Sequence, residues 1–484
     1  MFQDGLRLQV FQDLRERDTR AFAHQLPPAV FSAAADRSGV RLGTNPLNPV
    51  HLVWLAVAAA WHHTRTFADV LGLTLKLLRD ADVWPVTAAP PDPRPERRSK
   101  HDPRGTDPAQ VTEEAFAKAR KHLPWDFWVS LILVLAERFQ EQHPAAVRYK
   151  GFRLLALDGT CLNLGAWSEL KAHFGTARNG AARGRTQARM VLLEFPLVRF
   201  PWRYELVPLA QGERTVAARL LDGLSRHDLV LMDRGFWSYG LFWQIQNQGA
   251  FFAVRLMAGV KPRGLRTLGR NDRLVEWTPS DPRWKRQGLP KAITLRIISY
   301  QVRGFRPSAV VTNVLDPEAI AHAEWAGLAT SAESGGVLLD GLYHRRWEIE
   351  TSLKELKVIQ GMEGHLRGRT PEAIAYEVAG HIVLYLLVRW LLVEAAAASG
   401  TDPLRLSFTN ALNELRDLSH ALLTAPPERV ANVLLPRLLA RVASHRVAPR
   451  PGRHYPRPHD TQILNKGKGK RRLPSKLPAM VNQG

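Results

Sequence analysis

The chain has 484 residues, 67 of them Lys or Arg and 45 Asp or Glu, for a formal net charge of +22. Its hydrophobic fraction of 45% excludes wholesale disorder. One cysteine, Cys161, excludes a disulfide scaffold and a Cys-rich zinc module. The surplus of cations favours a polyanionic partner, because each Lys or Arg that meets a phosphate releases a condensed counterion. The N-terminal MFQDGLRLQVFQDLRERDTR lacks a signal-peptide core. The apolar runs read as too short to span a bilayer; Ile382 to Val388, for example, is closed by Arg389. The expectation is a soluble, cytoplasmic protein with a nucleic-acid partner.

Residues 1–89 read as helical, with HLVWLAVAAAWHH and FADVLGLTLKLLRD at helical spacing, and are a possible DNA-binding region. Residues 90–108, dense in Pro and charge, read as a linker. Helix returns over 109–148, with Thr112 as N-cap, Glu113 and Glu114 in the first turn, and Pro124 interrupting it or starting a second piece. From Tyr149 the pattern changes. FRLLALDGT, ARMVLLEF and YELVPLA read as strands, ERTVAARLLDGL as a helix, DLVLMD as a buried strand, WSYGLFWQIQNQG as a helix closed by Gly249, and AFFAVRL as a strand. Residues 149–258 are therefore an α/β unit of order β-β-β-α-β-α-β. A β-rich stretch follows over 259–336, then a long helix from near Val337 within 337–400, a helical region over 401–445 and a basic tail over 446–484. That tail carries ten Lys or Arg against one acid, Asp460.

Asp158 is expected to end the first strand of this unit and Asp233 the fourth, so both carboxylates converge on one rim, where oxygen ligands can hold a hard divalent cation. A third comes from YHRRWEIETSLKELK. With each helical residue advancing about 100°, Tyr343, Arg346, Glu350 and Lys357 share a roughly 60° arc, whereas Glu348 and Glu355 point to the far side. Arg346 and Glu350 also form an ordinary i,i+4 pair of the kind found on solvated faces. Ile349, Leu353 and Leu356 form an adjacent apolar stripe, so the charged face borders the core, and buried charge needs a partner or a function.

Here the sequence resembles the DDE transposases of bacterial insertion sequences, in the family whose signature helix carries Tyr, Arg, Glu and Lys at the spacing of Tyr343, Arg346, Glu350 and Lys357. LALDGT around Asp158 and LMDRGFWSYG around Asp233 resemble the family's first and second acidic blocks, and GMEGHLRGRTPEAIAYEVAGHIVLYLLVRWLL resembles its continuation. The resemblance implies an RNase H-like mixed-sheet catalytic core with a β-rich insertion, flanked by helical N- and C-terminal regions. It implies two Mg²⁺ ions, with Mn²⁺ as a substitute, on Asp158, Asp233 and Glu350, with Asp158 bridging. Tyr343, Arg346 and Lys357 would contact DNA phosphates. The implied partners are double-stranded DNA, as transposon ends and target, and a second copy of the chain in a synaptic complex. Trp277 and Trp284 are candidates for the insertion aromatic that receives a flipped base. Two other readings stand beside strand cleavage and transfer: a metal nuclease of this fold without strand transfer, and a non-catalytic DNA-binding descendant.

The tail yields a first prediction. Truncation after Val447 is expected to weaken DNA binding at moderate salt and to flatten its salt dependence, by roughly 0.9 in log–log slope for each phosphate that the tail would otherwise neutralise. Titrating a fluorescent duplex at several salt concentrations checks this, and an unchanged slope makes the tail a solvated extension.

Overall fold

A computed structural model describes residues 25–43, 47–66, 68–72, 112–121, 123–178, 182–280, 282–301, 307–326 and 341–448. The expected linker at 90–108, the basic tail beyond 448 and the helix start near Val337 lie outside them. Four helices come first: α1 (Pro28–Ser38), α2 (Pro49–Trp61), α3 (Glu113–Lys121) and α4 (Trp125–Gln142). Pro124 is the N-cap of α4, and Thr112 Oγ1 accepts a 3.1 Å hydrogen bond from Ala115 N at the start of α3.

The central unit runs β1 (Arg148–Tyr149), β2 (Phe152–Asn163), α5 (Ser168–Phe174), β3 (Gln187–Phe195), β4 (Phe200–Pro208), α6 (Glu213–Leu220), β5 (Asp228–Met232), α7 (Tyr239–Asn247) and β6 (Phe251–Arg255). Its strands lie in the order β4-β3-β2-β5-β6. The β2–β3 and β3–β4 pairs are antiparallel, while β5 is parallel to both β2 and β6. This is the RNase H-like arrangement. β2 is buried without alternation from Leu154 to Leu157, as befits a strand covered on both faces.

Two strands differ from their sequence reading. β2 does not end at Asp158 but continues to Asn163, because β3 goes on pairing with it as far as Asn163↔Gln187. β4 begins at Phe200 rather than near Tyr204; Pro201 and Arg203 mask its start.

The β-rich stretch builds outward from the same sheet. β7 (Arg263–Gly269), β8 (Asp272–Trp277), β9 (Ile293–Tyr300) and β10 (Ser308–Thr312) continue the order as β6-β10-β9-β8-β7, all antiparallel. β8 and β9 are also fastened by a buried fork, in which Arg296 Nε and Nη2 donate to Asp272 at 2.8 and 2.5 Å.

A 3₁₀ turn (Leu342–Arg346) leads into α8 (Trp347–Lys354), which passes into a π-helical turn (Glu355–Ile359). Then come α9 (Pro371–Ser399), α10 (Phe408–Thr424) and α11 (Leu435–Ser444). α9 corrects the expectation about apolar runs. It is long and apolar enough to cross a membrane by length and composition, yet 78% of its most apolar window is buried inside the protein. It packs against α2, α3, α4, α10 and α11 and is buried on most sides, as a central core helix should be, with Glu377, His381 and Arg389 as buried polar residues among its apolar ones.

The α2–α9 crossing depends on Gly380. A Cβ added there would lie 2.6 Å from the Ala56 carbonyl oxygen. Gly380→Ala gains about 1 kcal/mol of helix propensity, but overpacking against rigid backbone costs about 1–3 kcal/mol. A lower melting temperature is therefore expected in scanning calorimetry, and an equal or higher one contradicts this close packing.

Candidate active site

One pairing sets the acidic rim. Leu157 of β2 is in register with Met232, the last residue of β5, so Asp158 and Asp233 follow side by side where the parallel pairing stops. By strand alternation Asp158 shares a face with Leu154, which packs with Leu342 and Tyr343 of the 3₁₀ turn. That turn delivers Arg346 and then Glu350 to Asp158. Arg346 Nη2 donates to Glu350 Oε1 at 3.0 Å, and its Nη1 stands 3.8 Å from Asp158 Oδ2. Asp158 Oδ1 also accepts from Gly159 N at 2.8 Å.

The electrostatics show that these groups share one site. Burial pushes the Asp158 carboxyl up to about 6; the Gly159 N–H and Arg346 oppose the rise, and the negative charges of Glu350 and Asp233 add to it. Arg346 is 4% exposed. Burial disfavours its charge, but Tyr343, Glu350 and Asp233 outweigh burial and hold its pKa above the usual value. Its guanidinium also lies 4.8 Å from the ring centroid of Trp347, which is exposed.

The other two signature residues have different surroundings from those expected. Tyr343 is buried; its hydroxyl donates to Met232 O at 2.8 Å and accepts from Arg255 N at 3.0 Å. It therefore clamps the ends of β5 and β6 beside Asp233 and does not present its hydroxyl to a phosphate. Lys357 Nζ donates to Thr160 Oγ1 (3.1 Å) and Cys161 O (3.0 Å) and pairs with Glu363 Oε2 at 3.2 Å. It is thus fixed to β2 just beyond Asp158. A uniform 100° step does not describe this segment, since Tyr343 lies in a 3₁₀ turn and Lys357 in a π turn. Even so, Arg346, Glu350 and Lys357 all reach the β2 side.

The far side of α8 holds residues that the sequence reading missed. Arg199, in the β3–β4 connection, donates from Nε to Glu348 Oε2 (2.8 Å) and from Nη1 to Glu355 Oε1 (3.0 Å). Glu355 Oε2 accepts from Tyr385 OH at 2.7 Å and from Arg389 Nη2. Burial disfavours the Glu355 charge, yet Arg389 and Arg199 keep its pKa below the ordinary value. Glu194, fully buried on β3, stands 3.0 Å from Ser352 Oγ. The one available signal was Arg389, a lone charge inside an apolar run. Trp277 belongs to the core, with ring centroids 5.1 Å from Trp237 and 5.3 Å from Tyr239, and Trp284 packs partly buried against the same core.

Among the described residues no group of three or more His, Cys, Asp or Glu is drawn together closely enough to hold a metal ion. The guanidinium of Arg346 stands between Glu350 and Asp158. The donor set still fits a hard divalent cation: three carboxylates, one destabilised as an anion by burial and by like charges, around a buried cation whose Nε has no hydrogen-bond partner. Glu350, with its side chain 44% exposed, has room to turn from Arg346.

Residues 150–387, which span both aspartates and the signature helix, match the family model described as "Transposase DDE domain". This stretch, just under half of the chain, is similar to the DDE transposases. The chain is 28% identical over 231 residues to the transposase InsG of insertion sequence element IS4 from Escherichia coli K12, an alignment covering 47% of this chain and 49% of that protein. The chain thus matches about half the length of this curated relative. A comparison with the cryo-EM structure of the piggyBac transposase synaptic complex with hairpin DNA covers 92% of this chain and 86% of that one, with a TM-score of 0.37 and 10% identity.

Glu194 gives a pH prediction. Burial pushes its carboxyl up to about 8 from an ordinary 4.5; Ser352 and the arginines Arg389 and Arg199 oppose the rise. Between those values the folded state keeps a proton that the unfolded state has lost, so the contribution of Glu194 to stability falls as pH rises from about 4.5 to about 8. Glu194→Gln is expected to flatten that decline in denaturant unfolding at pH 5, 6.5 and 8. A variant as pH-sensitive as the wild type contradicts it.

Proposed function

We propose that this protein cleaves and rejoins DNA strands at the ends of an insertion sequence, with Asp158, Asp233 and Glu350 holding two Mg²⁺ ions, for which Mn²⁺ can substitute. The observation that carries the reading is the adjacency of Asp158 and Asp233 at the end of the β2–β5 pairing, with Glu350 joined to them through Arg346. The match of residues 150–387 to the transposase DDE domain supports it. When bound, the ions supply Lewis acidity and a means of activating a hydroxyl for in-line attack on phosphorus.

The chain's own residues do the positioning. Arg346 neutralises the carboxylates in the free protein and, once Glu350 turns to a metal, presents its guanidinium to a phosphate oxygen of the DNA strand. Lys357, held by Thr160 and Cys161, places an ammonium beside the same strand. Tyr343 acts behind Asp233, fixing the ends of β5 and β6. The partners of this reaction are double-stranded DNA and a second copy of the chain, because two ends must be joined together.

Asp158→Asn, Asp233→Asn and Glu350→Gln are each expected to reduce Mg²⁺-dependent cleavage of end DNA to background while DNA binding persists. Glu348→Gln, which faces Arg199, should retain cleavage with somewhat lower stability. The assay is cleavage of a labelled duplex beside a gel-shift titration. Near-normal cutting by any of the first three removes that residue from the site.

A further inference from the structure

The back of α8 carries a polar stripe where a core helix ordinarily places apolar residues. Glu348, Ser352 and Glu355 recur at i, i+4 and i+7, so they share one face. That face is covered: Ser352 is 0% and Glu355 5% exposed. Burying such charges costs desolvation free energy, and well-packed apolar residues often replace buried ion pairs without loss of stability. The stripe differs from an apolar one in being directional. The apolar contacts of Ile349, Leu353 and Leu356 are non-directional and set no single rotation of the helix by themselves. A guanidinium fork bonded to Glu348 and Glu355, two turns apart, does not.

Arg199 supplies that fork from an unusual place. It has φ +51°, a left-handed conformation for a residue with a side chain, in the connection from β3 to β4. β3 pairs directly with β2, and Asp158 is in register with Leu192. Arg199 therefore ties the strand pair that bears Asp158 to the helix that bears Glu350. Glu350 lies between the two glutamates it holds, and Lys357 follows Glu355 by two residues. Arg389 anchors the other oxygen of Glu355 to α9.

We propose that Arg199 is a positioning residue, fixing the rotation and height of α8 through Glu348 and Glu355 so that Glu350 and Lys357 meet the Asp158 edge. The inference rests on the reading of Asp158, Asp233 and Glu350 as a metal site, and it adds a residue that touches neither metal nor DNA.

The test uses the full chain, with Mn²⁺ as the probe, followed by electron paramagnetic resonance in the absence of DNA. Arg199→Ala, folded by circular dichroism, is expected to bind Mn²⁺ roughly tenfold more weakly, the scale of losing support behind a metal ligand. Its affinity for duplex DNA should stay within about twofold of wild type, because no cation of the open rim is removed. Arg199→Lys, which keeps the charge but reaches only one glutamate, should restore part of the loss. Should Arg199→Ala fail to fold, Arg199→Lys and Glu348→Gln carry the test, each with a smaller loss expected.

Wild-type Mn²⁺ affinity in the folded variants overturns the proposal. So does a parallel fall in Mn²⁺ binding, DNA binding and melting temperature, which marks a purely architectural role. A wild type whose Mn²⁺ binding is unaffected by Asp158→Asn overturns the site reading and this inference together. Binding lost in Asp158→Asn but intact in Arg199→Ala overturns this inference alone.

Discussion

The parallel pairing of β2 with β5 is the constraint on which the acidic rim depends. A parallel neighbour keeps its side chains in step, and β5 stops after Met232 opposite Leu157. Two carboxylates therefore emerge together at a point where the sheet no longer covers them from that side. β3 continues past this point and carries β2 on to Asn163, which gives Thr160 and Cys161 the positions from which they hold Lys357. A one-residue slip in the β2–β5 register would turn Asp158 toward the opposite face. The hydroxyl of Tyr343, bonded to both β5 and β6, ties those two strand ends together beside Asp233.

Charge at the site is balanced within the protein. Arg346 is buried beside Asp158, Asp233, Glu350 and Tyr343, and the negative charges of Glu350 and Asp233 raise its affinity for its proton. Without that cation, several carboxylates would stand close together in a partly desolvated cleft, which like-charge repulsion disfavours. The guanidinium gives the free protein a stable state and leaves a position of opposite charge that a stronger cation can contest. Behind the helix, Arg199 and Arg389 play the matching part for Glu355.

Much of this was legible in the sequence because it rests on local pattern. The β-β-β-α-β-α-β order followed from apolar runs and turn residues, although it missed the two-residue β1 and the short helix α5 between β2 and β3; Asp233 followed from its place at the end of its run. The Arg346, Glu350 and Lys357 face followed from helical periodicity. What escaped had non-local or irregular causes. Asp158 in mid-strand looked like a strand end because Asp-Gly-Thr is turn-like, and only pairing with β3 carries the strand through it. The 3₁₀ and π turns on either side of α8 leave no periodic mark, so the inward hydroxyl of Tyr343 could not be read from a uniform helix. Arg199 sits in a short connection, and its partners lie about 150 residues away in sequence. The apolar run from Ile382 to Val388 was read as closed by Arg389, whereas that residue, bonded to Glu355, lies inside the longest helix among the described residues.

The central claim is that Asp158, Asp233 and Glu350 form one cation site that Arg346 occupies in the free protein. Crystals soaked in Mn²⁺ and measured at the manganese absorption edge test it most directly. The account predicts anomalous density among these three carboxylates, with Arg346 released from Glu350. Manganese bound elsewhere, or none bound at saturating concentration with the Arg346–Glu350 bond intact, would contradict it.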